Sequence, residues 1–295
     1  MLESPLNSDN DTLTCYPLSE EQVNLYHKDG FLKLPQFFDS KDIEPLQTEI
    51  DKNPSLAGKQ TIRYDTQNRI YKIAVWTELG DALLGVIPRL ARIVDGARVL
   101  LGKECYHWHS KIVTKEPGGG KLAWHQDYAS WYEDGCLFPD LVNCLIALSE
   151  SNKKNGCLKL AVGSHLLGRL NIPVGCPYRD ADPDLVEKVL ERLDVVYCEM
   201  EPGDVLFFHG NTLHSSEPNN SNRSRSLMYC TYNAVSNEPF VKEGQEHHRY
   251  CKLDKLPDST IKDGKYDTVF AKHKFHLPET AENQGVGVLY RHSKT

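Results

Sequence analysis

The sequence predicts a mainly β fold with flanking helices, on three observations. From residue 105 onward, short runs rich in β-branched and aromatic residues succeed one another: "CYHWHSKIV", "LVNCLIAL", "CLKLAV", "VVYCEM", "DVLFFHG" and "SLMYCTYNAV". Turn-forming clusters such as "EPGGGK", "NKKNG" and "EPGD" divide them. Before residue 105 the apolar spacing is helical, and no linker, internal repeat or low-complexity stretch separates the two textures. Many short strands with such turns make a sandwich or a barrel. Helices are therefore expected to wrap an antiparallel β core within one domain.

In chain order, residues 1–18 are polar, lack the apolar stretch of a secretory signal and read as a loose tail. The single domain is then 19–295, with a helical wrap over 19–102 and the β core from about 105. Ser19 with Gln22 forms a capping-box pattern that opens a helix over "EEQVNLYHKD", stopped by Gly30. "FLKL" reads as a short strand. "SKDIEPLQTEID" spaces Ile43, Leu46 and Ile50 along one helix face. "DALLGVIPRLARIVDGARVLLG" repeats Leu84, Ile87, Leu90 and Val94, and Pro88 should kink or split that helix. One helix interrupts the β region: in "DPDLVEKVLERL", Asp182 is placed to cap and Pro183 to occupy the first turn. It falls between the two halves of the motif described next, so 176–194 is expected to be a lid.

Composition excludes several functions. Lys and Arg total 34 against 41 Asp and Glu, a formal charge of −7 with no basic run. That suits neither a phosphate backbone nor an anionic membrane, and no apolar stretch approaches the ~20 residues of a spanning helix. The nine cysteines are scattered, with no Cys-x-x-Cys pair, and several sit in apolar runs. They read as reduced thiols of a cytoplasmic protein.

The chemistry concentrates in "WHQDYASW", residues 124–131. On a strand, residues i and i+2 share a face, so His125 and Asp127 can aim an imidazole and a carboxylate at one point. A third ligand is available in "EPGDVLFFHGNTLHSS", which carries His209 and His214. Two histidines and one carboxylate make the facial triad of non-haem Fe(II) oxygenases, with positions left for a co-substrate and dioxygen. A 2-oxoglutarate co-substrate needs a bidentate cation for its far carboxylate. Arg225, eleven residues after His214, shares a face of its strand with Leu227, Tyr229 and Thr231. Arg223 competes, but lies in the turn-like "NNSNR".

"WHQD", "NGCLKLAVGSH" and "EPGDVLFFHGNTLHSS", followed by Arg225, resemble the phytanoyl-CoA dioxygenase family of Fe(II)/2-oxoglutarate enzymes over roughly residues 20–240. The resemblance implies a double-stranded β-helix (jelly roll, cupin-like) core, iron on His125, Asp127 and His214, and 2-oxoglutarate held by Arg225 with Ser216 as helper. Ala161-Val162 stands where the family has Ile-Pro. Locally, "WHQDYASWYEDG" and "YNAVSN" are similar to the ectoine hydroxylase branch, which carries over Trp131 and Tyr229 as substrate-side aromatics. Gln126 and Ala129 depart from that branch, so the class of small, polar, amino-acid-like substrates carries over and the compound does not. His107 and His109 share a face of their strand, with Lys111 on the same parity. His109 and Lys111 are added as substrate-side candidates. His165, His209 and the pair His247-His248 read as structural or solvated.

The expected activity is hydroxylation of an unactivated C–H at the iron centre, with 2-oxoglutarate and O2 as co-substrates and ascorbate in support; no separate acid or base is assigned. Asp127 argues against a halogenase, which needs a small residue there. A natural-product oxidase that cyclises or desaturates an amino-acid-derived precursor is the alternative within enzymes. A non-catalytic jelly-roll metal- or ligand-binding protein is the alternative of another class. A small molecule is the expected partner, with no nucleic acid or membrane, and the oligomeric state is open.

Overall fold

The first helix of the computed structural model shows the predicted capping box. Gln22 N donates to Ser19 Oγ, Ser19 N donates to the Gln22 side chain, and α1 (Glu20–Asp29) ends on Gly30 at φ 85°. The structure describes residues 18–52, 59–173, 176, 180–240, 249–270 and 273–275. The tail expected over 1–18 lies outside these except for Leu18, as do His247 and His248. After α1 come β1 (Phe31–Leu34) and α2 (Ser40–Lys52). Pro88 splits its helix as expected: α3 (Leu83–Val86) gives way to a 3₁₀ turn at Ile87–Arg89, and α4 (Ala91–Leu101) resumes after it.

One expectation needs correction. The helical wrap over 19–102 is interrupted by an antiparallel hairpin, β2 (Thr61–Tyr64) and β3 (Ile70–Trp76). Its turn is built by Asp65, whose carboxylate accepts from the backbone N–H groups of Gln67, Arg69 and Lys121, while Asn68 takes φ 59°. β2 (TIRY) mixes polar and apolar residues and β3 (IYKIAVW) is apolar on both parities, so neither shows the alternation of a half-buried strand.

The later strands are β4 (Cys105–Lys115), β5 (Leu122–His125), β6 (Leu141–Ala147), β7 (Leu158–Ala161), β8 (Val195–Cys198), β9 (Val205–His209), β10 (His214–Ser216) and β11 (Arg225–Ala234). All pair antiparallel, as a seven-stranded sheet β1-β9-β6-β11-β4-β3-β2 and a four-stranded sheet β5-β10-β7-β8. The helices α5 (Asp127–Glu133), α6 (Pro183–Leu190) and α7 (Ser259–Lys262) complete the order.

Burial explains why β6 and β11 are buried along their whole length. One face of the large sheet (Val142, Cys144, Ile146, Met228, Cys230) packs on α3, α4 and their neighbours. The other (Val113, Leu145, Leu206, Phe208, Leu227, Tyr229) meets Leu158 and Leu160 of the small sheet. Both faces are covered, so the sequence of these strands reads as nearly continuous apolar runs.

Candidate metal centre

The two histidines of the motif meet across a strand pair. His125 ends β5 directly opposite His214 at the start of β10, and their ring centres are 4.2 Å apart. Each ring is fixed by its own chain: His125 Nδ1 lies 2.8 Å from Ala123 O and His214 Nδ1 2.9 Å from Thr212 O. A carbonyl can only accept, so Nδ1 carries the proton in both rings and Nε2 is left as a donor to a metal.

Asp127 arrives by a different route from the one expected. It does not share a strand face with His125. The backbone is extended at Gln126 (φ −110°, ψ 125°), and Asp127 opens α5. Gln126, fully buried, accepts from Leu170 N through Oε1 and donates to Asn211 O through Nε2. It thereby ties this corner to the loops around it. The carboxylate then sits between the imidazoles, with Oδ1 3.8 Å from His125 Nε2 and Oδ2 3.9 Å from His214 Nε2. One ligand atom from each of His125, Asp127 and His214 lies within 4.8 Å of the others. A divalent ion between them would meet two nitrogens and one oxygen, the donor set of a facial triad.

Two residues invisible to motif reasoning orient the carboxylate. Asn143 donates from Nδ2 to Asp127 Oδ2 at 2.9 Å, and Thr231 donates from Oγ1 to Asn143 Oδ1 at 2.6 Å. Both are fully buried on adjacent strands. The available signal was a lone amide inside the apolar run "LVNCLIAL". Lys111 Nζ lies 3.6 Å from Asp127 Oδ1. Burial would raise the Asp127 carboxyl, but Lys111 and the histidines outweigh it and hold it well below the usual range. Burial, with His125 alongside, pushes His214 down to about 3, which keeps the imidazole neutral for ligation.

Arg225 and Ser216 lie on the strands that frame the interior. Arg225 starts β11 opposite Lys115, fully buried, and none of its three guanidinium nitrogens has a hydrogen-bond partner among the described residues. Burial lowers its pKa from the ordinary value. Five donors in a planar fork, shut away from water, fit a carboxylate that binds from outside the chain. Ser216 Oγ accepts from Lys115 Nζ at 2.7 Å, and the same ammonium also reaches Glu217 O at 2.6 Å. Lys115 is a second cation that motif reasoning passed over. It is fully buried, and its signal was a lysine on the inward parity of β4.

The substrate-side candidates also converge. Tyr229 pairs with Lys111 across β11 and β4, its ring centre 4.8 Å from Lys111 Nζ. Trp131 on α5 is buried with Tyr106, Trp108 and Tyr128, and its edge approaches the His109 ring at 5.9 Å between centres. His107 departs from expectation. A bulge in β4 pairs His109 with Thr231 but His107 with Tyr232, so the two histidines face opposite sides of the sheet. His107 instead bonds Ser110 at 2.8 Å on the helix-covered side. His209 Nδ1 accepts from Asn211 N at 3.1 Å, and His165 Nε2 lies 3.0 Å from His27 O; neither joins the triad. In the expected lid, Ala181 N donates to Trp124 O, and Val186 of α6 packs on Ala161 and Leu213 beside the centre; residues 177–179 lie outside the described set.

Comparison with known proteins agrees with this geometry. The family described as phytanoyl-CoA dioxygenase (PhyH) matches residues 26–227. The chain is 28% identical to an ectoine dioxygenase of Bordetella bronchiseptica over 75% of its own length and 77% of the relative's. It is also 28% identical to a methylphosphonate hydroxylase of Gimesia maris, over 83% and 93%. An L-proline trans-4-hydroxylase of Streptomyces griseoviridis is 27% identical over 76% and 89%. The crystal structure of EctD from S. alaskensis with 2-oxoglutarate and 5-hydroxyectoine superposes with TM-score 0.68 at 25% identity, covering 85% of this chain and 90% of that one.

Proposed function

This chain belongs to the phytanoyl-CoA dioxygenase family, and from that membership we propose that it hydroxylates an unactivated C–H bond of a small, polar, amino-acid-like molecule. It is a non-haem Fe(II)/2-oxoglutarate-dependent dioxygenase. The observation that carries the reading is the buried, unpartnered Arg225 guanidinium inside the same sandwich as the His125–Asp127–His214 cluster. Relatives named for ectoine and L-proline support the substrate class, and one named for methylphosphonate supports its small, polar character.

When bound, iron with 2-oxoglutarate and dioxygen supplies the oxidising power, and the co-substrate leaves as succinate and carbon dioxide. The chain's own residues do the rest. His125, Asp127 and His214 would hold the metal, with Asn143 and Thr231 keeping the Asp127 carboxylate turned to it. Arg225, with Ser216 and Lys115 beside it, would clamp the far carboxylate of the co-substrate. Trp131, Tyr229, His109 and Lys111 would wall the space for substrate and exclude water.

Two antiparallel sheets over one interior support a double-stranded β-helix core within a single domain over 19–295. Ala181 N, which donates to Trp124 O, and Val186, packed on Leu213 next to His214, support the expected lid over 176–194 as a cover of the centre. All eight cysteines among the described residues are free, which fits a reducing, cytoplasmic setting. No helix among the described residues is long and apolar enough to cross a membrane. A small-molecule partner rather than a nucleic acid fits the acidic balance.

The test is succinate release with Fe(II), ascorbate and 2-oxoglutarate across a panel of small amino acids, cyclic solutes and phosphonates, for the wild type and His214→Ala. Succinate from the wild type alone is expected, with a mass gain of one oxygen in the panel member that stimulates it. An iron-loaded wild type that binds no 2-oxoglutarate would move the chain to a non-catalytic ligand-binding role.

A further inference from the structure

We propose that Lys111 selects substrates carrying an anionic group, a carboxylate or a phosphonate, close to the bond that is oxidised. The inference deepens the dioxygenase reading and rests on it. Lys111 projects from the inward face of β4, with Nζ 4.8 Å from the Tyr229 ring centre and 3.6 Å from Asp127 Oδ1, and its side chain is only 18% exposed. Asp127 is the one carboxylate within ion-pair distance of it among the described residues.

That partner is also the metal ligand. A divalent ion coordinates a carboxylate oxygen directly, so filling the site draws away the negative charge on which Lys111 depends. The other inward cations are accounted for. Lys115 Nζ donates to neutral oxygens of Ser216 and Glu217, and burial beside Arg225 favours its uncharged form, while Arg225 presents its free fork to the co-substrate. A ferrous ion, the Asp127 carboxylate, doubly charged 2-oxoglutarate and the Arg225 guanidinium cancel one another. The Lys111 ammonium is then an uncompensated positive charge beside the reacting position.

A nearly buried ammonium without a counter-charge is unfavourable. An anionic substrate removes that penalty and a cationic one adds to it. Asp180, which interacts with His125, is moved by burial towards its neutral form. An ammonium is a compact point charge on a flexible stem, so it accepts a carboxylate or a phosphonate, whereas a guanidinium fork favours planar pairing.

The experiment uses the full chain loaded with Mn(II) and N-oxalylglycine, which occupy the metal and co-substrate positions without turnover. Calorimetry follows the binding of propionate, methylphosphonate and neutral propionamide. At least one anion should bind roughly ten- to a hundredfold more tightly than propionamide, the range of a charge-assisted hydrogen bond. The better anion separates carboxylate from phosphonate. Lys111→Met and Lys111→Gln should erase the preference and Lys111→Arg should keep part of it. The preference should also shrink in metal-free wild type, where Asp127 occupies Lys111. With N-oxalylglycine bound, equal affinity for propionamide, no anion binding, or a preference that survives in Lys111→Met overturns this inference alone. Failure of N-oxalylglycine to bind the wild type overturns the dioxygenase reading and this inference with it.

Discussion

The two faces of the large sheet are made by alternate residues of the same strands, both are buried, and they differ in kind. Towards the helices β4, β6 and β11 present Ile112, Val142, Cys144, Ile146, Met228, Cys230 and Tyr232. The polar atom among these is satisfied within the chain, since Tyr232 OH donates to Pro88 O at 2.6 Å. Towards the small sheet the same strands present His109, Lys111, Lys115, Asn143, Arg225 and Thr231. There the Arg225 guanidinium has no partner among the described residues and the Lys111 ammonium leans on the Asp127 carboxylate. These helix-facing positions need no ligand, whereas the interior face carries charged groups that a ligand would complete. Stability should therefore respond to the first face and ligand affinity to the second.

Arg225→Met gives the largest expected effect. Removing one side of a buried carboxylate–guanidinium pair should weaken 2-oxoglutarate binding by about 2–5 kcal/mol. The ligand-free protein should be no less stable, since a buried, unpaired charge is replaced by an apolar chain of similar length. Calorimetry with 2-oxoglutarate and urea denaturation without it measure both. A large loss of ligand-free stability would break the comparison.

Ile146→Ala is the mirror experiment. Ile146 is fully buried on the helix-covered face, and the truncation should cost about 2–5 kcal/mol of unfolding free energy. Metal and 2-oxoglutarate affinities of the folded protein should stay within twofold. A shift in metal affinity beyond that would show that the faces are coupled through the sheet.

Asn143→Val is intermediate, because Asn143 belongs to the ligand-dependent face yet touches no ligand. Loss of its hydrogen bond to Asp127 should lower metal affinity by roughly ten- to a hundredfold. Thr231 loses its acceptor as well, so Thr231→Val in the same background should add little further. Competition with a chelator reads the metal affinity.

The comparison also shows what the sequence could reveal. The β core, the capping box and the break at Pro88 follow from local rules that operate within a few residues, whereas the full ligand set was implied by the family resemblance. Asp127 reached the centre by a turn into α5, so its spacing from His125 was informative while the strand geometry inferred from that spacing was not. His107 and His109 were separated by a bulge that strict alternation cannot contain. Asn143, Thr231 and Lys115 were missed because their partners lie far off in sequence: Asn143 is 16 residues from Asp127 and Lys115 is 101 from Ser216. Register joins Thr231 to Asn143, the packing of one sheet on the other joins Lys115 to Ser216, and the turn into α5 brings Asp127 to Asn143.

The smallest expected effect is a pH dependence that both faces share until metal distinguishes them. His107 on the helix side and His214 at the centre are each pushed by burial down to about 3. An unfolded histidine titrates near 6.5. Between about pH 6.5 and 3 the unfolded chain therefore takes up protons that these folded residues refuse. Stability is fully present above about 6.5 and falls as pH drops, with a limiting slope of about 1.4 kcal/mol per pH unit for each group. Urea denaturation at pH 7.5, 5.5 and 4.5 should show His107→Gln flattening that slope by about one proton with or without metal. His214→Gln should flatten it similarly in the metal-free protein and by more in the metal-loaded one. In the wild type, protons and metal compete for the same Nε2, so saturating metal should steepen the acid limb; in His214→Gln that metal-dependent steepening should vanish. A metal-dependent slope that survived in His214→Gln would place the proton–metal competition on other residues and would break the assignment of His214 to the ligand-dependent face.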